Sequence, residues 1–265
     1  MGFLSTSTVT ARIPSTRTFL QAVGRIMNAC GIDAPTDLAD ASAVINVKQA
    51  KNACNDALSR IWTANRWEWR MRHIFLDMDD KVFLYDLPDD FVEAGAGLMR
   101  AYDTSPMTFI GYGDLMVKYP ELAMADETLM TEGGTTFSDL MDEMLADNTQ
   151  LGSLPTHWTI TGDRLGLFPV PWQDNVDSDD WTNKSRLLVS YYGALKELSA
   201  NADTLPIPFE LYPAHHWLAL AYLKQGLEYG DFTADEQRGE RLLQVAVAKS
   251  RQKQADTYVM TPEGF

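Results

Sequence analysis

The apolar residues of this chain change their spacing twice. As far as Trp62 they recur every three or four residues, from Trp67 they alternate with polar ones, and after Pro206 and Pro208 the wider spacing returns. A helix repeats every 3.6 residues and a strand every two, so one stretch cannot serve both. The pattern therefore predicts helical ends around a β-rich middle.

At the N-terminal end, residues 1–12 are polar and unpatterned and read as an arm or edge strand. Pro14-Ser15-Thr16 offers a helix start. Phe19, Leu20, Val23, Ile26, Met27 and Cys30 follow at helical spacing, with Gly31 where a C-terminal cap glycine belongs. After the loop IDAPTDLAD a second helix is expected from Asp40, with Val44, Val47, Cys54, Leu58, Ile61 and Trp62 as its apolar stripe. Two such helices joined by a short loop are expected to pack as a hairpin.

In the middle, WEWRMRHIFLDM reads as a half-buried strand, with Trp67, Trp69 and Met71 on one face and Glu68, Arg70 and Arg72 on the other. Further strands are expected in KVFLYDLP, near Leu98–Tyr102 and Met107–Ile110, and from Arg186 to Tyr192. HWTI-TGD-RLGLF is a hairpin with turn residues at its centre. The Gly95-Ala96-Gly97 and Gly111-Tyr112-Gly113 clusters read as turns. At the C-terminal end a helix is expected over 209–227. Thr233 with Glu236 then forms a capping box for a helix from Ala234 to about Gln254, followed by the extended tail DTYVMTPEGF.

The predicted class is α+β: a helical bundle built from N- and C-terminal helix pairs, with a β-rich middle segment and an acidic insertion. The expected segments are 1–66 (arm and helix pair), 67–205 (β-rich, insertion at about 119–153) and 206–265 (helix pair and tail), one structural unit overall. The insertion stands out by charge. No Lys or Arg occurs between Lys118 and Arg164, while Glu121, Asp126, Glu127, Glu132, Asp139, Asp142, Glu143 and Asp147 all do. QDNVDSDDW is a second acidic loop. Both read first as solvated loops, and second as contact surfaces.

With 37 acidic against 22 basic residues the net charge is −15, a poor endowment for gripping phosphates. No apolar run is long enough to cross a bilayer, and the start lacks the pattern of a secretion signal, so folding in a cytoplasm is expected. Cys30 and Cys54 are expected as buried free thiols rather than a disulfide or zinc ligands. His215 and His216, as helix neighbours, point in different directions and cannot chelate together; one is expected packed and the other at a rim. The Trp67–Arg70 cluster reads as core rather than as a stacking surface for a ligand. The start MGFLST and the sequon Asn183-Lys184-Ser185 read as chance matches to modification signals. Nothing calls for a cofactor, a metal or a catalytic residue, and the chain is expected not to be an enzyme. Neither a phosphate-binding glycine loop nor a nucleophile elbow is present.

Four stretches, in order, carry a resemblance. They are TRTFLQAVGRIMNACGI with AKNACNDALSRIWTANRWEWR; KVFLYDLPDDF, similar to a Y-x-LP-x-DF phrase; PTHWTITGDRLGLFPVP; and SRLLVSYYGALKELSANADTLPIP leading into LYPAHHWLALAYL. Together they resemble the head-to-tail adaptor (connector) proteins of tailed bacteriophages, the group that includes tail tubular protein A. The acidic stretch has no clear counterpart in that pattern. The resemblance implies a structural virion protein at the head–tail junction, made in the host bacterial cytoplasm. It implies a homo-oligomeric ring, usually a dodecamer, that binds the portal protein and a downstream tail or nozzle protein and extends the DNA conduit. DNA would pass without specific binding, with no membrane involved. Tyr258, Val259, Met260 and Phe265 are the expected portal contacts. Asp139, Asp142, Glu143 and Asp147, with Asp174, Asp177, Asp179 and Asp180, are expected to face the bore or the tail. The alternatives are another phage neck or tail binding module, and a tail-associated cell-wall hydrolase.

Overall fold

The computed structural model describes residues 17–39, 45–79, 83–101, 105–118, 154–169, 171 and 185–259. In chain order the elements are α1 (Phe19–Ala29), α2 (Ile45–Thr63), a 3₁₀ turn (Glu68–Arg70), β1 (Met71–Asp77), β2 (Leu84–Asp86), β3 (Phe91–Arg100), β4 (Thr108–Phe109), α3 (Tyr112–Lys118), β5 (His157–Thr161), β6 (Arg164–Phe168), β7 (Arg186–Gly193), a 3₁₀ turn (Phe209–Leu211), α4 (Tyr212–Gly226) and α5 (Thr233–Val259). The class is α+β. Two compact units divide the described residues: a helical one within Ala11–Arg70 and Leu195–Phe265, and a sheet unit within Met71–Ala194.

In the helical unit, α1 begins at a capping box. Thr18 Oγ1 accepts from the Gln21 N–H, and Gln21 Oε1 accepts from the Thr18 N–H. The start therefore lies beyond the Pro14–Thr16 signal, because Thr18-x-x-Gln21 satisfies two backbone donors at once. The stop is the expected one. Gly31 takes a positive φ of 72°, and the Ile32 N–H reaches back to the Met27 carbonyl. Phe19, Val23, Ile26 and Met27 are buried along one face, and Val47, Cys54, Leu58, Ile61 and Trp62 along α2. The expected start at Asp40 lies outside the described residues.

The main partner of α2 is α4 rather than α1, so a simple α1–α2 hairpin is not the organising contact. Helix α4 packs against α1, α2 and α5, and buried residues surround it: Ala214, His215, Leu218, Ala219, Leu220, Ala221 and Leu223. Gly239 permits close approach of α5. A Cβ there would lie 2.8 Å from Leu218 Cγ and 2.9 Å from the Leu218 backbone nitrogen. Ion pairs line α5 as well, Lys224–Asp235 at 2.6 Å and Arg60–Glu240 at 2.7 Å. The helix begins one residue before the expected Ala234. Asp231 Oδ1, rather than Thr233, accepts an early N–H, that of Thr233 itself. It also outruns the expected end at Gln254 and reaches Val259. No glycine or proline intervenes before Pro262, so Asp256–Val259 are helical, not extended.

Long-range polar links stitch the two ends of the chain into this unit. Asn55 bonds the Leu198 carbonyl at 3.0 Å and the Leu198 N–H at 3.2 Å, satisfying both faces of its amide. Asn201 accepts from Leu38 N–H and donates to Asp37, while Phe19 N–H donates to the Asp203 carbonyl. The Asp203 carboxylate accepts from Ser199 and Ala200 N–H groups, which hold its pKa below the usual carboxylate range.

The sheet unit holds two sheets, β1-β7-β3 and β2-β6-β5-β4, antiparallel throughout except for the parallel β4–β5 pair. Ile74, Leu76, Leu98, Leu187, Val189 and Tyr191 from the first join Tyr85, Trp158, Leu165 and Leu167 from the second in one apolar core. The hairpin turn is Gly162-Asp163, with positive φ at Gly162 alone, matching type II′.

Three expectations are corrected here. Residues 67–70 are not strand. The chain runs through a 3₁₀ turn, and β1 starts at Met71 with Ile74 and Leu76 buried, the opposite parity to Trp67 and Trp69. Gly95–Gly97 is not a turn but the bulged part of β3. There the register against β7 shifts between Ala94 and Gly97, and a Cβ on Gly95 would press on Met71 Sδ at 3.0 Å. Gly111 precedes a helix, its carbonyl accepting from Leu115 N–H at the start of α3.

Candidate docking surface

The apolar face of α1 is buried, and another face carries Gln21, Arg25 and Ala29 at four-residue intervals, with Arg17 just ahead of the Thr18 cap in extended backbone. In the helical unit this stripe forms one wall of an open groove of about 790 Å³. Phe209, Tyr212, Pro213, His216 and Trp217 form the other. Phe209, 64% exposed, leaves an apolar ring open to solvent beside this charged stripe. The Arg17 guanidinium lies 4.3 Å from the centre of the Tyr212 ring, and Arg238 lies 4.0 Å from that of Trp217.

Among the described residues no carboxylate lines this groove, although the chain has fifteen more acidic than basic residues. Burial and then the nearby Arg25 lower the Arg17 pKa. Burial, then Arg17 and Arg25, lower that of His216, so the imidazole is neutral at pH 7. The result is a double positive charge facing an aromatic wall. Arginine forks pair with carboxylates in two-point geometry, and exposed aromatics take apolar side chains. Sequence reading missed this site because it followed the apolar stripe of α1. The available signal was the Gln21-x₃-Arg25 spacing on another face of α1, with Arg17 just before the helix cap.

In the sheet unit, the DLPDDF phrase has a structural use. Asp90 accepts from the Tyr191 hydroxyl at 2.9 Å and from Arg72, and its backbone carbonyl accepts from Ala194 N–H. Burial and then the Asp90 bond push the Tyr191 pKa up to about 12. These groups satisfy one another, and the cluster ties β1, β7 and the turn before β3. A second groove of about 690 Å³ beside it is lined by Pro88, Val92, Glu93 and Asp163 among others, and carries acid rather than base.

The remaining titratable candidates are internal. His215 is fully buried, and its Nε2 lies 3.1 Å from the Cys54 carbonyl; because a carbonyl only accepts, Nε2 carries the hydrogen. His216 is half-buried at the groove. Cys30 and Cys54 are buried free thiols, both with raised pKa from burial. Among the described residues no group of three His, Cys, Asp or Glu could hold a metal, and no helix is long and apolar enough to cross a membrane. Of the sequence-predicted sites, Tyr258 and Val259 fall in the last turn of α5. Met260, Phe265, Asp139, Asp142, Glu143, Asp147, Asp174, Asp177, Asp179 and Asp180 lie outside the described residues.

Comparison with known families decides the class. The family model described as SU10 adaptor protein matches residues 16–262, across both units. The chain belongs to this family. It is a phage adaptor, a structural virion protein, and the resemblance read from the four sequence stretches is thereby borne out. A comparison with curated proteins returned no match. For a family member of this kind the surfaces that matter are those that meet other proteins, and the groove on the helical unit has the chemistry of one.

Proposed function

We propose that the chain forms a closed ring, of twelve copies, bound beneath the head portal, lengthening the DNA conduit and docking the next tail or nozzle protein. The single observation that carries this reading is the adaptor-family match over residues 16–262. Copies related by rotation bury two different surfaces against each other, and the rotation closes the ring. An overall charge of −15 suits a conduit wall, since phosphates meet repulsion rather than a grip. Asp174, Asp177, Asp179 and Asp180 are assigned to the bore or the tail-facing rim. Asp139, Asp142, Glu143 and Asp147 have the same charge but a second destination, the basic groove.

Portal attachment is assigned to the C-terminal end, with Tyr258, Val259, Met260 and Phe265 as apolar anchors, the residue types that dominate interface cores. Cutting the chain after Gln254 tests it. The truncated protein is expected to fold, because the buried residues of α5, Leu243 and Val247, are retained. It is also expected to lose co-purification with the portal. Attachment at the level of the full chain would remove these residues from the interface.

A further inference from the structure

We propose that the groove beside α1 receives the acidic stretch 137–147 of a second copy of this chain, so that neighbouring subunits are joined by a basic-to-acidic contact; this rests on the ring reading above. The groove asks for two things at once. Its guanidiniums, Arg17 and Arg25, call for carboxylates, and its rings, Phe209, Tyr212 and Trp217, call for apolar side chains. The stretch FSDLMDEM supplies both within eight residues. Asp139, Asp142 and Glu143 carry the charge, and Phe137, Leu140, Met141 and Met144 the apolar surface. Methionine thioethers pack well on aromatic rings. No Lys or Arg between Lys118 and Arg164 would oppose the approach.

The competing anion is DNA. Two arginines among aromatics also suit a phosphate and a base. A chain of net charge −15 disfavours it, because nucleic-acid binding draws on clustered positive charge over a wider surface. A ring interface joins two unlike surfaces of the same chain, and the groove and the acidic stretch are such a pair.

Charge exchange between copies tests this. One full-length variant carries Arg17→Glu and Arg25→Glu, and the other Asp139→Lys, Asp142→Lys and Glu143→Lys. Each alone is expected to lose oligomer yield on purified portal at least tenfold, read by native mass spectrometry. An equimolar mixture is expected to recover it, with both variants in every particle, since each groove then meets a segment of opposite charge. Unchanged far-ultraviolet circular dichroism and urea midpoints establish that the variants fold, with Arg17→Gln/Arg25→Gln as a milder second variant.

Normal assembly of either charge-reversed variant alone would overturn the inference while leaving the ring reading standing. Failure of the mixture, with rescue by all five substitutions in one chain, would overturn it in favour of a contact within a single copy. Should the parent form no oligomer on the portal, the ring reading fails by itself. The groove is then read by a labelled peptide of residues 132–150. Binding abolished by Arg17→Glu/Arg25→Glu upholds the recognition; no binding, or displacement by a tighter-binding single-stranded oligonucleotide, overturns it.

Discussion

Trp67→Ala is expected to lower stability by about 3–5 kcal/mol, the usual cost of emptying a buried tryptophan site. Trp67 is only 3% exposed, its indole N–H donates to the Ile61 carbonyl at 2.8 Å, and its ring stacks on Trp69 at 5.8 Å. Trp69 in turn meets Trp62 edge-on at 5.2 Å. Arg70 is buried beside them and donates to the Trp62 carbonyl at 2.5 Å. Removing the first ring therefore opens a cavity and loosens a cluster that fixes the end of α2. Trp67→Phe keeps most of the apolar volume and is expected to cost about 1–2 kcal/mol, mainly through the lost hydrogen bond. Urea unfolding of both variants, followed by circular dichroism at 222 nm, checks the order. A loss under about 1 kcal/mol for the alanine variant would mean the cluster is a surface feature, open to the ligand-stacking role that its composition also allows.

The second large effect is on acid stability. Burial, partly offset by the bond to Cys54 and reinforced by Arg17 and His216, lowers the His215 pKa from 6.5 to about 4. Above pH 6.5 the imidazole is neutral in both folded and unfolded chains, and its contribution is flat. As pH falls from 6.5 to about 4 the unfolded chain takes up the proton first, so stability drops by about 1.4 kcal/mol per pH unit and by about 3 kcal/mol in all. Below pH 4 this contribution is flat again. Asp203, held low by its backbone bonds, adds a loss of the same sign at lower pH. Comparison with His215→Gln isolates the histidine. The variant is expected to lose clearly less stability than the parent between pH 7 and pH 4, measured by urea midpoints at each pH. Parallel slopes would show that the folded protein protonates His215 without strain.

What the sequence made legible follows from what each signal depends on. The stripes of α1 and α2, the Gly31 stop, the Gly162-Asp163 hairpin and β7 depend on local period and turn chemistry, and each was readable. Residues 67–70 were misread because Trp67, Trp69 and Met71 at every second position look the same in a strand as in a short 3₁₀ turn entering one. Only the buried Ile74 and Leu76 reveal the change of parity. Gly95–Gly97 carries the composition of a turn, but a bulge in a paired strand asks for the same residues. Arg70 would have been placed on the solvent side, since its burial depends on carbonyls supplied by the end of α2. The candidate groove was hidden for a related reason. Gln21 and Arg25 mark a helix edge, but Arg17 joins them from the extended segment before the cap, and the aromatic wall comes from residues nearly two hundred positions later. The adaptor assignment was legible because it rested on four soft phrases in a fixed order, not on any single one.

The central claim is a ring matched to the portal, and stoichiometry tests it most directly. Calibrated mass spectrometry of purified virions would give the copy number of this chain relative to the portal subunit. The account predicts a ratio near one to one. Absence of the chain from the particle, or a copy number that follows the capsid or tail-tube protein, would contradict it.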